Sequence, residues 1–352
     1  MFNTEKYTAE SVIKPLELAS TANVSITAAC TLYRVSGERV PSAELVLKQC
    51  RDESPALMEM HVNLALKKQF NDLSARLRRS FRKHGLVIVD FHYDPLYGQR
   101  DTLGTVHLPP GRSSCRFYSY LTADLWSPGG IFTIAVRRRQ HGEGIADMFW
   151  DLWARVELFT VLKLLLFDGE FVIVDILDEL QEKRIPFVAR LSITYRLALL
   201  ALAYQLTDNW ERLRPYKKVK IREKRFRHGI SVHVTFQHVH GKFNALIVSS
   251  DLSIAPADAR ELYPLRFAIE TGYRDKHAFQ IRTCSTNLSV WLFLFLVAIM
   301  LWNTWQTFIM TVEKSSGDQV PRSIAWRRRI RLVKILLLRD VLLPAPSALS
   351  RR

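Results

Sequence analysis

Acidic residues are the scarce component of this chain: 34 Asp and Glu face 50 Lys and Arg, giving a formal charge of +16 and a pI of about 9.9. A surplus of that size argues against a basic partner. It favours a polyanion, either nucleic acid or an anionic membrane surface, through the summed field and counterion release. Cysteine is sparse as well. Cys30, Cys50, Cys115 and Cys284 stand far apart with no CxxC pair, which argues against a zinc site or a disulfide framework and fits a reducing, cytoplasmic setting. The first twenty residues hold no unbroken apolar stretch and carry Glu5, Glu10 and Glu17, so no secretory leader is expected. Internal repeats and low-complexity segments are not evident either.

What is present suits a packed core. Hydrophobic content of 48% and charged content of 24% are ordinary for a globular protein, and 352 residues suffice for one large domain with insertions or for two ordinary ones. The run Leu288 to Trp302 is almost wholly apolar. It is shorter than the roughly 20 residues of a bilayer crossing, although a weaker extension to Met310 keeps that reading open. A buried core helix, apolar all round, is the expectation, and a membrane is not an expected partner.

Periodicity divides the chain. Residues 1–83 read as a helical region; Ala56 to Arg79 has helical spacing and ends in a basic flank of Arg76, Arg78, Arg79, Arg82 and Lys83 that could contact DNA. After Gly85, Leu86-Val87-Ile88-Val89 is a buried-strand pattern ending in Asp90. Residues 114–124 and 131–138 form a hairpin-like pair around Ser127-Pro128-Gly129-Gly130, followed by a helix over 145–162. Lys163 to Phe167 is another apolar strand ending in Asp168-Gly169; a helix over 171–183 and a fifth strand, Ile185 to Arg190, follow. Strand, helix, strand with short links implies a parallel pair with a right-handed crossover. Residues 84–190 are thus the first part of a core. Residues 191–255 read as a β-rich insertion with a basic block that includes Lys217, Lys218, Lys220 and Arg222; 256–312 complete the core, and 313–352 are a basic tail. The residues Leu197 to Tyr204 carry no assignment.

In a helical reading of Tyr263 to Lys276, Tyr263, Arg266, Glu270 and Arg274 share one face, with a carboxylate between two guanidinium groups. An exposed ladder of ion pairs would look the same, worth a few tenths of a kcal/mol per pair. The alternative is that Glu270 joins the two strand-end aspartates. Magnesium prefers oxygen ligands. A pair of such ions about 3.5–4 Å apart can drive in-line attack on a phosphodiester, with three acids as their cage. Asp94 competes with Asp90 as the first of them; Asp90 is preferred because the apolar run leads directly to it.

The string Tyr263-x-x-Arg266-x-x-x-Glu270, with Arg282-Thr283 and Asn303-Thr304-Trp305 downstream, resembles insertion-sequence transposases of the DDE class. Asp90 followed by Pro95-x-Tyr97-Gly98, and Leu-Leu-x-Asp-Gly at Asp168, are similar to that family's two aspartate motifs. The resemblance covers about residues 85–310. It implies a mixed α/β fold: an RNase H-like core with a mixed five-stranded sheet, a β-rich insertion before the last catalytic helix, and a helical N-terminal region. It implies Asp90, Asp168 and Glu270 as catalytic residues and ligands of Mg2+, with Mn2+ able to substitute. Tyr263, Arg266, Arg274, Lys276, Lys217, Lys218, Lys220 and Arg222 would face DNA. The implied reaction is cleavage at the ends of an insertion sequence and strand transfer into target double-stranded DNA, by a homodimer in the synaptic complex, in the cytoplasm on the nucleoid. The family's signature continues to a Lys seven residues after the Glu, where this chain has His277, with Lys276 one position early. Two alternatives are a nuclease without strand transfer and a degenerate, non-enzymatic DNA-binding descendant of a transposase.

Overall fold

Serine caps set the helix boundaries of the N-terminal region. In a computed structural model describing residues 7–96, 104–108, 115–159, 162–191, 211–213, 216–221, 224–229, 232–239, 242–249 and 254–316, five helices open the chain. They are α1 (Ala9–Ala22), α2 (Ile26–Val35), α3 (Ala43–Asp52), α4 (Pro55–Asp72) and α5 (Ala75–His84). The side chains of Ser25, Ser42 and Ser74 accept hydrogen bonds from the backbone N–H groups of Ala28, Leu45 and Leu77. The Ser74 cap divides in two the helix that periodicity alone runs from 56 to 79.

The chain forms two units. The first comprises Met1–Ala65, Pro95–Tyr118 and Tyr273–Arg352; the second comprises Leu66–Asp94 and Ser119–Gly272. The described part of the first is mainly helical. Its last helix, Leu288–Ser316, is long and apolar enough to cross a membrane by length and composition. Most of that apolar stretch is nevertheless buried in the protein, and two amide side chains, Asn303 and Gln306, are buried on it. A short strand, β2 (Thr105–His107), pairs antiparallel with Arg116 to Tyr118, the opening residues of β3 (Arg116–Ser127).

The second unit carries most of the sheet. Its strands are β1 (Leu86–Pro95), β3, β4 (Gly130–Arg138), β5 (Leu164–Phe167), β6 (Phe187–Leu191), β7 (Glu211–Leu213), β10 (Val232–Val239) and β11 (Lys242–Ser249). They lie in the order β3-β1-β5-β6-β11-β10-β7, with β4 antiparallel on β3. The five core strands read from sequence are β1, β3, β4, β5 and β6. The insertion does not stand apart from them, because β11 pairs antiparallel with β6 and extends the same sheet. A separate antiparallel ribbon contains β8 (Tyr216–Ile221) and β9 (Lys224–Gly229). Helices α6 (Ile145–Val156) and α7 (Val174–Glu182) connect core strands. Both are shorter than their periodicity suggests: the first gives way to a turn at 157–159, and a turn of 3₁₀ helix, Gly169–Phe171, precedes the second.

Two local features fix where β1 and β5 begin. Gly85 adopts a left-handed conformation (φ 55°) that ends α5, its N–H donating to the Phe81 carbonyl at 2.9 Å. The Gly85 carbonyl in turn accepts from Lys163 N–H at 2.8 Å and Leu164 N–H at 3.2 Å, tying the start of β5 to that of β1. Beneath the sheet, Phe81 packs against Phe132 and Phe70 at ring-centroid separations of 6.1 and 6.2 Å. Truncating fully buried Phe81 to Ala should lower stability by about 3–5 kcal/mol, read as a shift in the urea unfolding midpoint.

Candidate active site

Register delivers the two aspartates. Strands β1 and β5 are parallel, with Val87 opposite Leu165, Ile88 opposite Leu166 and Val89 opposite Phe167. One residue further along each strand come Asp90 and Asp168. Neither is free to wander: Asp90 Oδ1 accepts from the Phe91 N–H at 2.9 Å, and Asp168 Oδ1 accepts from the Gly169 N–H at 2.8 Å. Phe171, at the end of the turn that Asp168 caps, stacks on Phe91 of β1 at 5.0 Å between ring centroids. Tyr93 of the same strand donates from its hydroxyl to Glu170 Oε2 at 2.8 Å.

The third acid arrives from the segment after α8 (Pro256–Leu262). Pro264 has no N–H to continue that helix, and Tyr263–Arg266 tightens into a 3₁₀ turn before α9 (Phe267–His277) begins. In a 3₁₀ turn residues three apart eclipse each other. Tyr263 and Arg266 therefore project together, with Glu270 one α-helical turn beyond.

Arg266 joins the acids. Its Nη1 donates to Asp90 Oδ2 at 3.0 Å and its Nη2 to Glu270 Oε1 at 2.6 Å. Tyr263 donates a long hydrogen bond, 3.4 Å, to Asp168 Oδ1, and the Arg266 guanidinium lies 5.6 Å from the Tyr263 ring centroid. Asp90, Asp168, Tyr263, Arg266 and Glu270 thus converge within the second unit. Asp90 is 14% exposed at its side chain and Glu270 47%, so the cluster runs from a buried acid to an open one.

Electrostatics make Asp90 the strained member. Burial pushes its carboxyl up to about 7, opposed by Arg266 and reinforced by the Asp168 and Glu270 charges. The ion pair alone would lower it; desolvation of a nearly buried acid wins. Burial also works against the Arg266 charge, but Tyr263 and the three acids overcome it and raise its pKa. Burial raises the Tyr263 hydroxyl too, with Arg266 and Arg190 opposing.

The residues expected to face DNA are placed less uniformly. Tyr263, Arg266 and Lys276 are each 2% exposed. Arg266 turns inward to the acids, and the Lys276 ammonium sits over the Tyr273 ring at 4.8 Å. Arg274 and His277 are exposed; with Lys276 they belong to the first unit. Lys217, Lys218 and Lys220 lie on the β8 backbone, and Arg222 lies outside the described residues. Arg76, Arg79, Arg82 and Lys83 are exposed on α5. Asp94, the competing acid, is buried against His92 Nε2 at 2.9 Å. Sequence reading passed over Arg190. Its signal was its place as the last residue of the fifth strand pattern, equivalent to that of the aspartates.

Strand-end acids on a mixed sheet, joined by an acid from a later helix, are the arrangement of an RNase H-like fold. The chain belongs to the Transposase DDE domain family, whose match spans residues 127–303, half of the sequence. That match includes Asp168, Tyr263, Arg266 and Glu270 but starts after Asp90, whose place in the cluster rests on the β1 register. The chain also resembles a piggyBac transposase solved by cryo-EM as a synaptic complex with hairpin DNA. The TM-score is 0.51 at 12% identity, over 98% of this chain and 77% of that one, a likeness of fold. No curated protein matches the chain.

The pKa of Asp90 has a thermodynamic consequence. Its unfolded value is about 3.9. Because the folded value is higher, about 7, the group favours the folded state most at low pH. That contribution is lost as pH rises from about 4 to about 7 and is flat beyond. Relative to wild type, metal-free Asp90→Asn should therefore gain little stability near pH 4 and progressively more towards pH 7, reaching on the order of 4 kcal/mol there and above, measured by urea unfolding in EDTA.

Proposed function

We propose that this DDE-class transposase cleaves DNA at the ends of an insertion sequence and joins the released 3′ ends to target DNA, using Mg2+ held by Asp90, Asp168 and Glu270. The observation that carries the reading is the Arg266 guanidinium spanning Asp90 and Glu270 while Asp168 lies beside them. With Asp168 and Glu270 close enough to raise the proton affinity of Asp90, the three carboxylates need positive charge between them. The donor set is all oxygen, which suits Mg2+ or Mn2+. Arg266 supplies part of that charge, and its Nε is buried without a hydrogen-bond partner among the described residues.

When bound, the cations supply Lewis-acid polarisation for in-line attack at a phosphodiester, first by water and then by a 3′ hydroxyl. The chain's own groups set the geometry. Asp90 and Asp168 are fixed by strand register and by their backbone N–H donors. Glu270, the exposed acid, faces the open side from which DNA approaches. Arg266 and Tyr263 hold the acids in position relative to one another, so little reorganisation is needed at the moment of reaction. The +16 charge draws in the polyanion. Synapsis of two element ends calls for at least a homodimer, and the setting is the cytoplasm, on nucleoid DNA.

The decisive comparison is Glu270→Gln against wild type on supercoiled plasmid. Nicking should fall by about 1,000-fold or more while affinity for duplex DNA changes less than about 2-fold. Nicking at the wild-type rate would remove Glu270 from the chemistry. A joined product with target plasmid separates a transposase from a nuclease that stops at cleavage. Metal affinity has its own signature: a proton on Asp90 competes with the cation. Mn2+ binding measured by calorimetry should therefore weaken as pH falls below about 7 and level off above it.

A further inference from the structure

Arg190 stands in the same transverse row of the sheet as the two aspartates. In the parallel pairing of β5 and β6, Leu165 is opposite Phe187, Leu166 opposite Val188 and Phe167 opposite Ala189. One residue beyond those pairs come Asp168 and Arg190, just as Asp90 and Asp168 follow the last pair of β1 and β5. The row reads Asp90, Asp168, Arg190 across three adjacent strands.

The three preceding residues of β6, Phe187, Val188 and Ala189, are buried, whereas Arg190 is exposed. Its charge is near enough to act on the Tyr263 hydroxyl, the group that donates to Asp168 Oδ1 at 3.4 Å. Among the described residues it has neither a hydrogen-bond nor an ion-pair partner. Arg266, by contrast, is 2% exposed and committed to two carboxylates. The site therefore contains one guanidinium that organises the acids and another that is uncommitted. Other exposed cations of the second unit are less informative. Arg82 and Lys83 occupy the last turn of α5, where the helix dipole alone favours positive charge.

We propose that Arg190 is a substrate-contacting residue that grips a DNA phosphate beside the scissile one. This rests on the DNA-cleavage reading above and adds the residue that holds the strand against the three acids. A guanidinium presents parallel N–H donors that fit two phosphate oxygens at once, fixing the phosphate in orientation as well as in place; a lysine in the same position supplies charge without the fork. Asp168 beside it repels a phosphate, so the cation on the next strand confines the backbone to one track along the row.

The test compares Arg190→Ala and Arg190→Lys with wild type, with thermal melting to verify the fold. Binding of a random-sequence DNA duplex is followed by anisotropy in Ca2+ over a series of NaCl concentrations. Arg190→Ala should reduce the slope of log K against log salt by about 1, and Arg190→Lys should leave it unchanged. Nicking of supercoiled plasmid in Mg2+ should fall about 100-fold for Arg190→Ala and about 10-fold for Arg190→Lys. An unchanged slope in Arg190→Ala overturns the contact. A reduced slope with wild-type nicking also overturns the proposal, because the phosphate held would then lie away from the reaction. A wild-type protein that binds duplex but never nicks sinks the cleavage reading instead, and the salt slope still decides whether Arg190 touches DNA.

Discussion

A parallel register between two short strands is the constraint on which the site depends. Val89 opposite Phe167 leaves Asp90 and Asp168 as neighbours, and a slip by one residue would send one of them to the other face of the sheet. Such a slip is blocked at both ends of the pair. At the start, the Gly85 carbonyl accepts two N–H groups from the residues that open β5. At the finish, Phe171 stacks on Phe91 and holds the turn that Asp168 caps. Because the intervening residues are all buried, their hydrophobic contacts enforce the register rather than the acids, whose mutual repulsion opposes it.

That repulsion explains the position of Arg266. An ion pair at 3.0 Å is worth about 5 kcal/mol at an effective dielectric of about 20, while taking each charge out of water costs several kcal/mol. The two effects are comparable, and for Asp90 desolvation prevails, since its carboxyl rises to about 7 despite the guanidinium. Among the described residues the cluster is thus only partly neutralised: one guanidinium, Arg266, is hydrogen-bonded to two of the three acids, and the deficit is what a divalent ion would remedy on the proposed reading.

Much of this was legible in the sequence because the informative features are local. An apolar run followed by an acid marks a strand end, and the i,i+4 relation of Arg266 to Glu270 survives whatever precedes it. The five core strands were recoverable for the same reason. Less legible was anything that depends on pairing between distant segments. No local pattern says that β11 docks on β6 and lengthens the core sheet. Nor does any say that Arg266 turns inward, since Tyr-x-x-Arg-x-x-x-Glu spacing is compatible with an exposed ladder. The break at Ser74 and the tightened turn at Tyr263–Arg266 were marked by Ser and Pro, yet each required choosing a cap or a kink over a continuous periodicity.

Charge in this protein is divided between two systems that act over different distances. The acids work at contact range, where burial and strand register raise their interaction energies. The basic excess works over roughly a Debye length, about 8–10 Å at physiological salt, and favours polyanions without regard to sequence. Taken alone, the acids would repel the phosphate they are proposed to act upon. A bound divalent cation reverses that local sign, so metal and DNA should each favour the binding of the other, with the coupling carried by charge rather than by a conformational change. Arg190 lies where the two systems meet, an uncommitted cation in the row of the aspartates. An anionic strand drawn in by the distributed positive surface would be handed there from non-specific attraction to a fixed position against Asp168.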